Sequence, residues 1–202
     1  MTAKEMKIKA FSLIEEYYPD KKLLADDQDV IYKANGVINS VMLDLIKYKK
    51  LPAKYTYNLK KSSPTLALDN IPDFYQLNAI SDIDYEIVGD YEIKFNVENM
   101  TEDTKKISIY YYKYPELMDL TFEATNGKTE EEVASEYDNS FEFDLPTDIL
   151  EIMPYGIAAD LLKQDMISNY GKYFYERYQE LKQMLDRRRT NSSVVISGGL
   201  DF

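Results

Sequence analysis

From Ala3 to Tyr18 the apolar positions Met6, Ala10, Leu13, Ile14 and Tyr17 recur at steps of three and four, the spacing of an amphipathic helix, and Pro19-Asp20 ends it. After Asp26, Asp27 and Asp29, the residues Val30, Ile31, Ala34, Val37, Ile38, Val41, Met42, Leu45 and Ile46 form an i, i+1, i+4 stripe. This predicts a second helix of about five turns. Its acidic start suits the positive end of the helix dipole, Lys47, Lys49 and Lys50 suit the negative end, and Leu51-Pro52 stops it.

Beyond Pro52 the period changes to two. Tyr55, Tyr57 and Leu59 alternate with Lys54, Thr56 and Asn58, and Ile83, Tyr85 and Ile87 alternate with Asp82, Asp84 and Glu86, so both stretches read as half-buried strands. Gly89-Asp90 lies between Tyr85–Val88 and Tyr91–Phe95, where glycine supplies the positive φ of a two-residue hairpin turn. A further strand rich in Ile and Tyr runs from about Lys105 to Tyr114 and is closed by Pro115.

An Asn126-Gly127 turn signal introduces a connector whose seven acids between Thr129 and Asp144 face no base, which reads as an exposed segment. Helical period returns at Pro146, where Thr147 or Asp148 can cap and Ile149, Met153, Ile157 and Leu161 follow at four-residue steps. Pro154 predicts a break with a short turn of helix before it and a longer helix after. Tyr170, Phe174, Tyr178, Leu181 and Leu185 continue an apolar face, as one long helix or as a hairpin of two. The remaining residues read as a tail.

The expected fold class is therefore α+β: a helical bundle core from the N- and C-terminal helices, an inserted small antiparallel β domain, and an extended C-terminal tail. The corresponding segments are 1–52, N-terminal helices; 53–144, β insertion with the acidic connector; 145–190, C-terminal helices; and 191–202, flexible tail.

Composition narrows the chemistry. With 24 Lys and Arg against 36 Asp and Glu in 202 residues, the net charge of −12 argues against wrapping nucleic acid through the general surface. Cys and His are both absent, which removes Ser–His–Asp triads, Cys–His nucleophiles, thiolate or imidazole zinc sites and haem ligation. The expectation is a protein with no catalytic residues, no cofactor and no metal. The charged start Met1-Thr2-Ala3-Lys4-Glu5 lacks the apolar region of a signal peptide, and no run is apolar enough to span a membrane, so a soluble chain is expected.

The remaining chemistry-bearing patterns are few. Asp82, Asp84 and Glu86 would share one strand face and suit a hard cation, but a calcium loop wraps its ligands around the ion and needs a turn, whereas this alternation demands a regular strand with a solvated face. Asp26-Asp27-Gln28-Asp29 superficially resembles a calcium loop too, but acidic charge at a helix N-terminus explains it. Nineteen Tyr and no Trp make aromatic packing or stacking a theme, and alternation sets Tyr110 and Tyr112 on the face opposite Tyr111. Arg187, Arg188 and Arg189 are candidates for phosphate contact, the alternative being a helix C-terminus that simply favours cations. A glycine-rich phosphate cradle is absent, since Gly198-Gly199 has no helix after it.

The succession Tyr110-Tyr111-Tyr112-Lys113-Tyr114-Pro115-Glu116-Leu117, the acidic connector, Phe143-Asp144-Leu145-Pro146 to Met153-Pro154, Ala158-Ala159-Asp160-Leu161-Leu162-Lys163-Gln164-Asp165 and Tyr173-Phe174-Tyr175-Glu176-Arg177-Tyr178 resembles tailed-phage head–tail connector (adaptor, or head completion) proteins. The resemblance covers about Val30 to Leu185, and its motifs are packing patterns. It implies a virion structural protein of the neck, made in the host cytoplasm, one subunit of a dodecameric ring below the portal around the DNA exit channel. It implies no catalysis. The implied partners are the portal protein, other tail or neck proteins, further copies of the chain, and packaged DNA passing without sequence-specific binding; no membrane is involved. Terminal extensions of such connectors order on contact with a neighbour, which makes Val194, Val195, Ile196, Leu200 and Phe202 candidate partner-binding residues beside Arg187, Arg188 and Arg189. The alternative reading is a non-catalytic binding module whose Tyr-rich β domain recognises a glycan or protein partner.

Overall fold

The computed structural model describes residues 1–14, 28–118, 141–163 and 169–189. The chain divides into two compact units, one formed by Lys50–Pro115 and the other by the described residues before and after it.

The second of these units is helical: α1 (Ala3–Leu13), α2 (Gln28–Leu45), α3 (Thr147–Leu161) and α4 (Asn169–Arg189). α1 opens with a capping box, the Glu5 N–H donating to Thr2 Oγ1 at 3.2 Å and the Thr2 N–H to Glu5 Oε2 at 2.9 Å. Two backbone bonds, Ala3 N–H to the Phe141 carbonyl (2.8 Å) and Phe143 N–H to the Met1 carbonyl (3.0 Å), pin this start to the segment entering α3. The hub is α3. Ile149, Leu150, Ile152, Met153, Ile157, Ala158 and Ala159 are buried around its circumference, whereas α1, α2 and α4 each offer a narrower apolar stripe and pack against it. Phe11, Ile14, Ala34, Ala158, Ala159 and Phe174 meet in one cluster.

The expected bundle core of N- and C-terminal helices is corrected by this arrangement. The helices do not close into a terminal bundle, because the packing runs through α3 instead of around a shared axis, and α1 with 11 residues is too short to flank α4 with 21. The chain is a mixed α and β protein of four described helices and two small antiparallel sheets. Nor does Pro154 break its helix: α3 runs through it, since Met153 and Pro154 are buried against neighbours and that packing outweighs the missing backbone bond and ring clash of an interior proline, together about 3 kcal/mol.

The unit Lys50–Pro115 holds β1 (Leu51–Lys60), β2 (Thr65–Ala67), a 3₁₀ turn (Leu68–Asn70), β3 (Phe74–Ile80), β4 (Tyr85–Val88), β5 (Glu92–Phe95) and β6 (Thr104–Lys113). One three-stranded sheet has the order β1-β6-β3 and the other β2-β5-β4, all pairs antiparallel. Their inner faces share a core of Leu59, Leu66, Ile93, Phe95, Ile107 and Ile109, and Tyr57 stacks on Phe95 at 6.1 Å between sheets. Pro52 falls in β1, an edge strand, where a missing N–H is tolerated. β3 was not legible from alternation, because register shifts at Phe74/Gln76 and Leu77/Ala79 break the period of two. The hairpin connection is three residues, not two: Val88 pairs with Glu92, Gly89 takes φ +62°, and the Tyr91 carbonyl is held by the Leu68 N–H at 2.8 Å.

Candidate functional site

The densest polar cluster lies in the helical unit where α2, α3 and α4 meet. Asp44 ends the apolar stripe of α2, and Tyr178 and Lys182 stand one turn apart on α4. Lys182 Nζ donates to Asp44 Oδ2 at 2.7 Å, and the Tyr178 hydroxyl donates to the same oxygen at 3.0 Å. The ammonium sits 4.6 Å from the Tyr178 ring centroid and 5.2 Å from that of Tyr48. Lys182 is 6% exposed, so its charge is held by one carboxylate and two ring faces in place of water.

Burial works to raise the Asp44 pKa, but the hydrogen bonds from Lys182 and Tyr178 and the charges of Lys182 and Lys47 (3.7 Å) outweigh it and bring the carboxyl below its ordinary value. Burial, followed by the charge of Asp44, pushes the Tyr178 phenol well above its ordinary value. The phenol stays a donor and the carboxylate an acceptor, so the cluster is closed on itself. Beside it lies a cleft of about 250 Å³ lined by Ser40, Asp44, Asp160, Lys163, Tyr175 and Tyr178. Chemically this is a latch joining α2 to α4. It was missed in the sequence, although a lysine at position 182, between Tyr178 and Leu185 on an otherwise apolar face, was the signal that a buried cation needed a partner.

The second feature is the outer face of the β1-β6-β3 sheet. Strand alternation turns Tyr111 inward, where its hydroxyl donates to the Pro72 carbonyl at 2.9 Å and its ring stacks on Phe74 at 5.9 Å, and turns Tyr110 and Tyr112 outward. Lys54 lies 5.5 Å above the Tyr110 ring and Lys50 5.0 Å above the Tyr112 ring. The three strands contain Lys54, Lys60, Lys105, Lys106 and Lys113 and no Asp or Glu, inside a chain of net charge −12. Lys54, Lys60 and Lys106 pair with no carboxylate among the described residues. Lys50 also donates to Gln76 Oε1.

The sequence candidates are distributed as follows. Arg187, Arg188 and Arg189 form the last turn of α4, while Val194, Val195, Ile196, Leu200 and Phe202 lie outside the described residues, as do Asp26 and Asp27. The alternation expected across Ile83 to Ile87 is shorter in fact: Asp82 takes a left-handed φ of 64°, β4 starts at Tyr85, and Glu86 pairs with Lys94 at 3.0 Å. Among the described residues no group of three acids is placed to hold a metal ion, and no helix is long and apolar enough to cross a membrane.

No protein-family model matches the chain, and no curated protein is significantly similar to it.

Proposed function

We propose that the chain is a structural subunit of a tailed-phage head–tail connector, one copy in a ring below the portal around the DNA exit channel, made in the host cytoplasm and carried in the virion neck. The observation that supports this reading is where the residues of the resemblance fall. Tyr111, Phe143, Ala158, Ala159, Phe174 and Tyr178 are buried packing positions, so much of the pattern goes into holding each unit in shape, while Tyr110, Tyr173 and Tyr175 stay on the surface. A scaffold whose distinctive residues go into packing suits an assembly part better than an enzyme. Its partners on this reading are the portal, other neck proteins and further copies of itself, with DNA passing through unread.

The test is electron microscopy of the full chain mixed with the portal protein of the same genome, with the chain alone as control and native mass analysis for copy number. The expected result is a ring added to the narrow end of the portal. Absence of association, together with binding of a glycan by the isolated chain, would overturn the reading in favour of a Tyr-rich binding module, for which exposed Tyr110 and half-buried Tyr112 on the outer sheet face are the supporting observation.

A further inference from the structure

The two sheets of the Lys50–Pro115 unit carry opposite charge in opposite places. The outer face of β1-β6-β3 presents Lys54, Lys60 and Lys106 beside Tyr110 and Tyr112. The hairpin of β4 and β5 and the residues leading into it carry Asp82, Asp84, Glu86, Asp90 and Glu92 before the first base at Lys94. That hairpin is also where apolar side chains lie open: β4 is exposed along its whole length, with Ile87 57% and Tyr91 74% exposed and Tyr85 and Val88 uncovered beside them. Tyr85 and Ile87 stand on the side of the sheet that faces the core, in register with buried Phe95 and Ile93, but β4 overhangs that core. An unpaired edge strand with apolar side chains bare on it is a surface that soluble proteins ordinarily cover.

We infer that the acidic β4–β5 hairpin of one copy docks on the lysine- and tyrosine-bearing outer sheet face of a second copy. Charge complementarity identifies the occupant. The acids at Asp84, Glu86 and Asp90 meet Lys54, Lys60 and Lys106, Glu86 trading its surface pair with Lys94 for a lysine of the neighbour, while Val88, on the same side of β4 as Glu86, and Tyr91 lie against Tyr110 and Tyr112, which supply apolar area with little conformational entropy to lose. Within one copy the pairing is closed off, since the basic face is the outer side of the first sheet and the hairpin belongs to the second. Hairpin and face are different surfaces, so the contact is heterologous: each copy uses its hairpin on one neighbour and its sheet on the other, and repetition gives a ring if the rotation closes and a filament if it does not. Nucleic acid is the weaker occupant for the same face, because the remainder of the chain repels phosphate. This inference deepens the ring reading above by naming the subunit contact, and its test is independent of the portal.

The experiment is sedimentation velocity with native mass spectrometry on the full chain, from low concentration up to about 1 mM, the range in which weak protein contacts are populated. Wild type is expected to form concentration-dependent oligomers, weakened about tenfold or more when NaCl rises from about 0.05 to about 0.5 M. Lys54→Glu with Lys106→Glu, and separately Glu86→Lys with Asp90→Lys, should each abolish self-association, and mixing the two charge-reversed proteins should restore assembly as oligomers in which the two variants alternate. Val88→Ser with Tyr91→Ser should weaken assembly without changing its salt dependence. A monomer at every concentration, or oligomers indifferent to both reversals, would overturn the interface while leaving the portal experiment to decide the connector reading. Retention of a single-stranded oligonucleotide by wild type, lost in the Lys54→Glu, Lys106→Glu protein and without self-association, would assign the face to nucleic acid and equally overturn it.

Discussion

Gly156 sits inside α3 at the point where three helices come closest. A Cβ built there would lie 2.7 Å from Tyr178 Cε2, 2.8 Å from Val41 Cγ1 and 2.9 Å from Tyr178 Cζ, all inside contact distance. By helix propensity alone Gly156→Ala should stabilise by about 1 kcal/mol, since glycine is a poor helix former. The geometry reverses that sign. The Tyr178 ring cannot retreat freely, because its hydroxyl is bonded to Asp44 at 3.0 Å and its face carries the Lys182 ammonium at 4.6 Å. Overpacking of this kind costs about 1–3 kcal/mol, and loosening a hydrogen bond to an ionised carboxylate adds about 1.5–3 kcal/mol. Set against the propensity gain, a net destabilisation of about 1.5–5 kcal/mol is expected. The assay is urea unfolding followed by hydrogen exchange of the α3 amides, so that unfolding of the helical unit is read separately from the sheet unit. Val41→Ala in the same background should recover part of the loss by removing one of the two clashing groups. A Gly156→Ala protein more stable than wild type would refute the close approach of α2, α3 and α4.

The latch is expected to respond to pH in both directions. Because Asp44 titrates below its ordinary value in the folded chain, its contribution is present above pH about 4 and is lost as the pH falls through the depressed native value. Asp44→Asn should therefore cost about 1–3 kcal/mol at pH 7, the gap to wild type should close as the pH falls through the depressed native value, and a gap independent of pH would disprove the ion pair. Tyr178 is raised, so its stabilisation is intact below pH about 10 and fades above it; Tyr178→Phe should remove that part of the alkaline loss, measured by thermal melts across pH 8–11. Asn39 clamps the backbone of Met118 through both amide atoms, at 2.8 and 2.9 Å, and Asn39→Ala should lower stability by about 2–4 kcal/mol in urea unfolding. Tyr111→Phe retains the stack on Phe74 but drops the bond to Pro72, and a loss of about 1 kcal/mol is expected in the sheet unit, with no change in exchange from α3.

Periodicity carried the local structure far. The stripe from Ala34 to Ile46 is the apolar face of α2, the Tyr55–Leu59 alternation lies in β1, and Gly89 turns the β4–β5 hairpin with the positive φ its position required. These were legible because a helix or strand must turn one face to the core, and the chain writes that face at a period of 3.6 or 2. β3 lost its alternation to two register shifts, and Pro154 lost its power as a helix breaker to burial; both are effects of neighbours distant in sequence. The same limit governed the site. That lysines without acids fill β1 and β6 was there to be read, but only antiparallel pairing in the register Lys54↔Tyr110 and Asn58↔Lys106 sets them side by side on one face. Asp44 and Lys182 are 138 residues apart, and no local pattern joins them. Hydrophobic period is a property of nearest neighbours along the chain, so the sequence by itself determined the strongly periodic elements, the acidic surplus and the absence of Cys and His chemistry. Which helix became the hub, which strands shared a sheet and which charges met were decided by packing, where partners are chosen in space and a buried ion must find its counter-ion wherever the fold brings one.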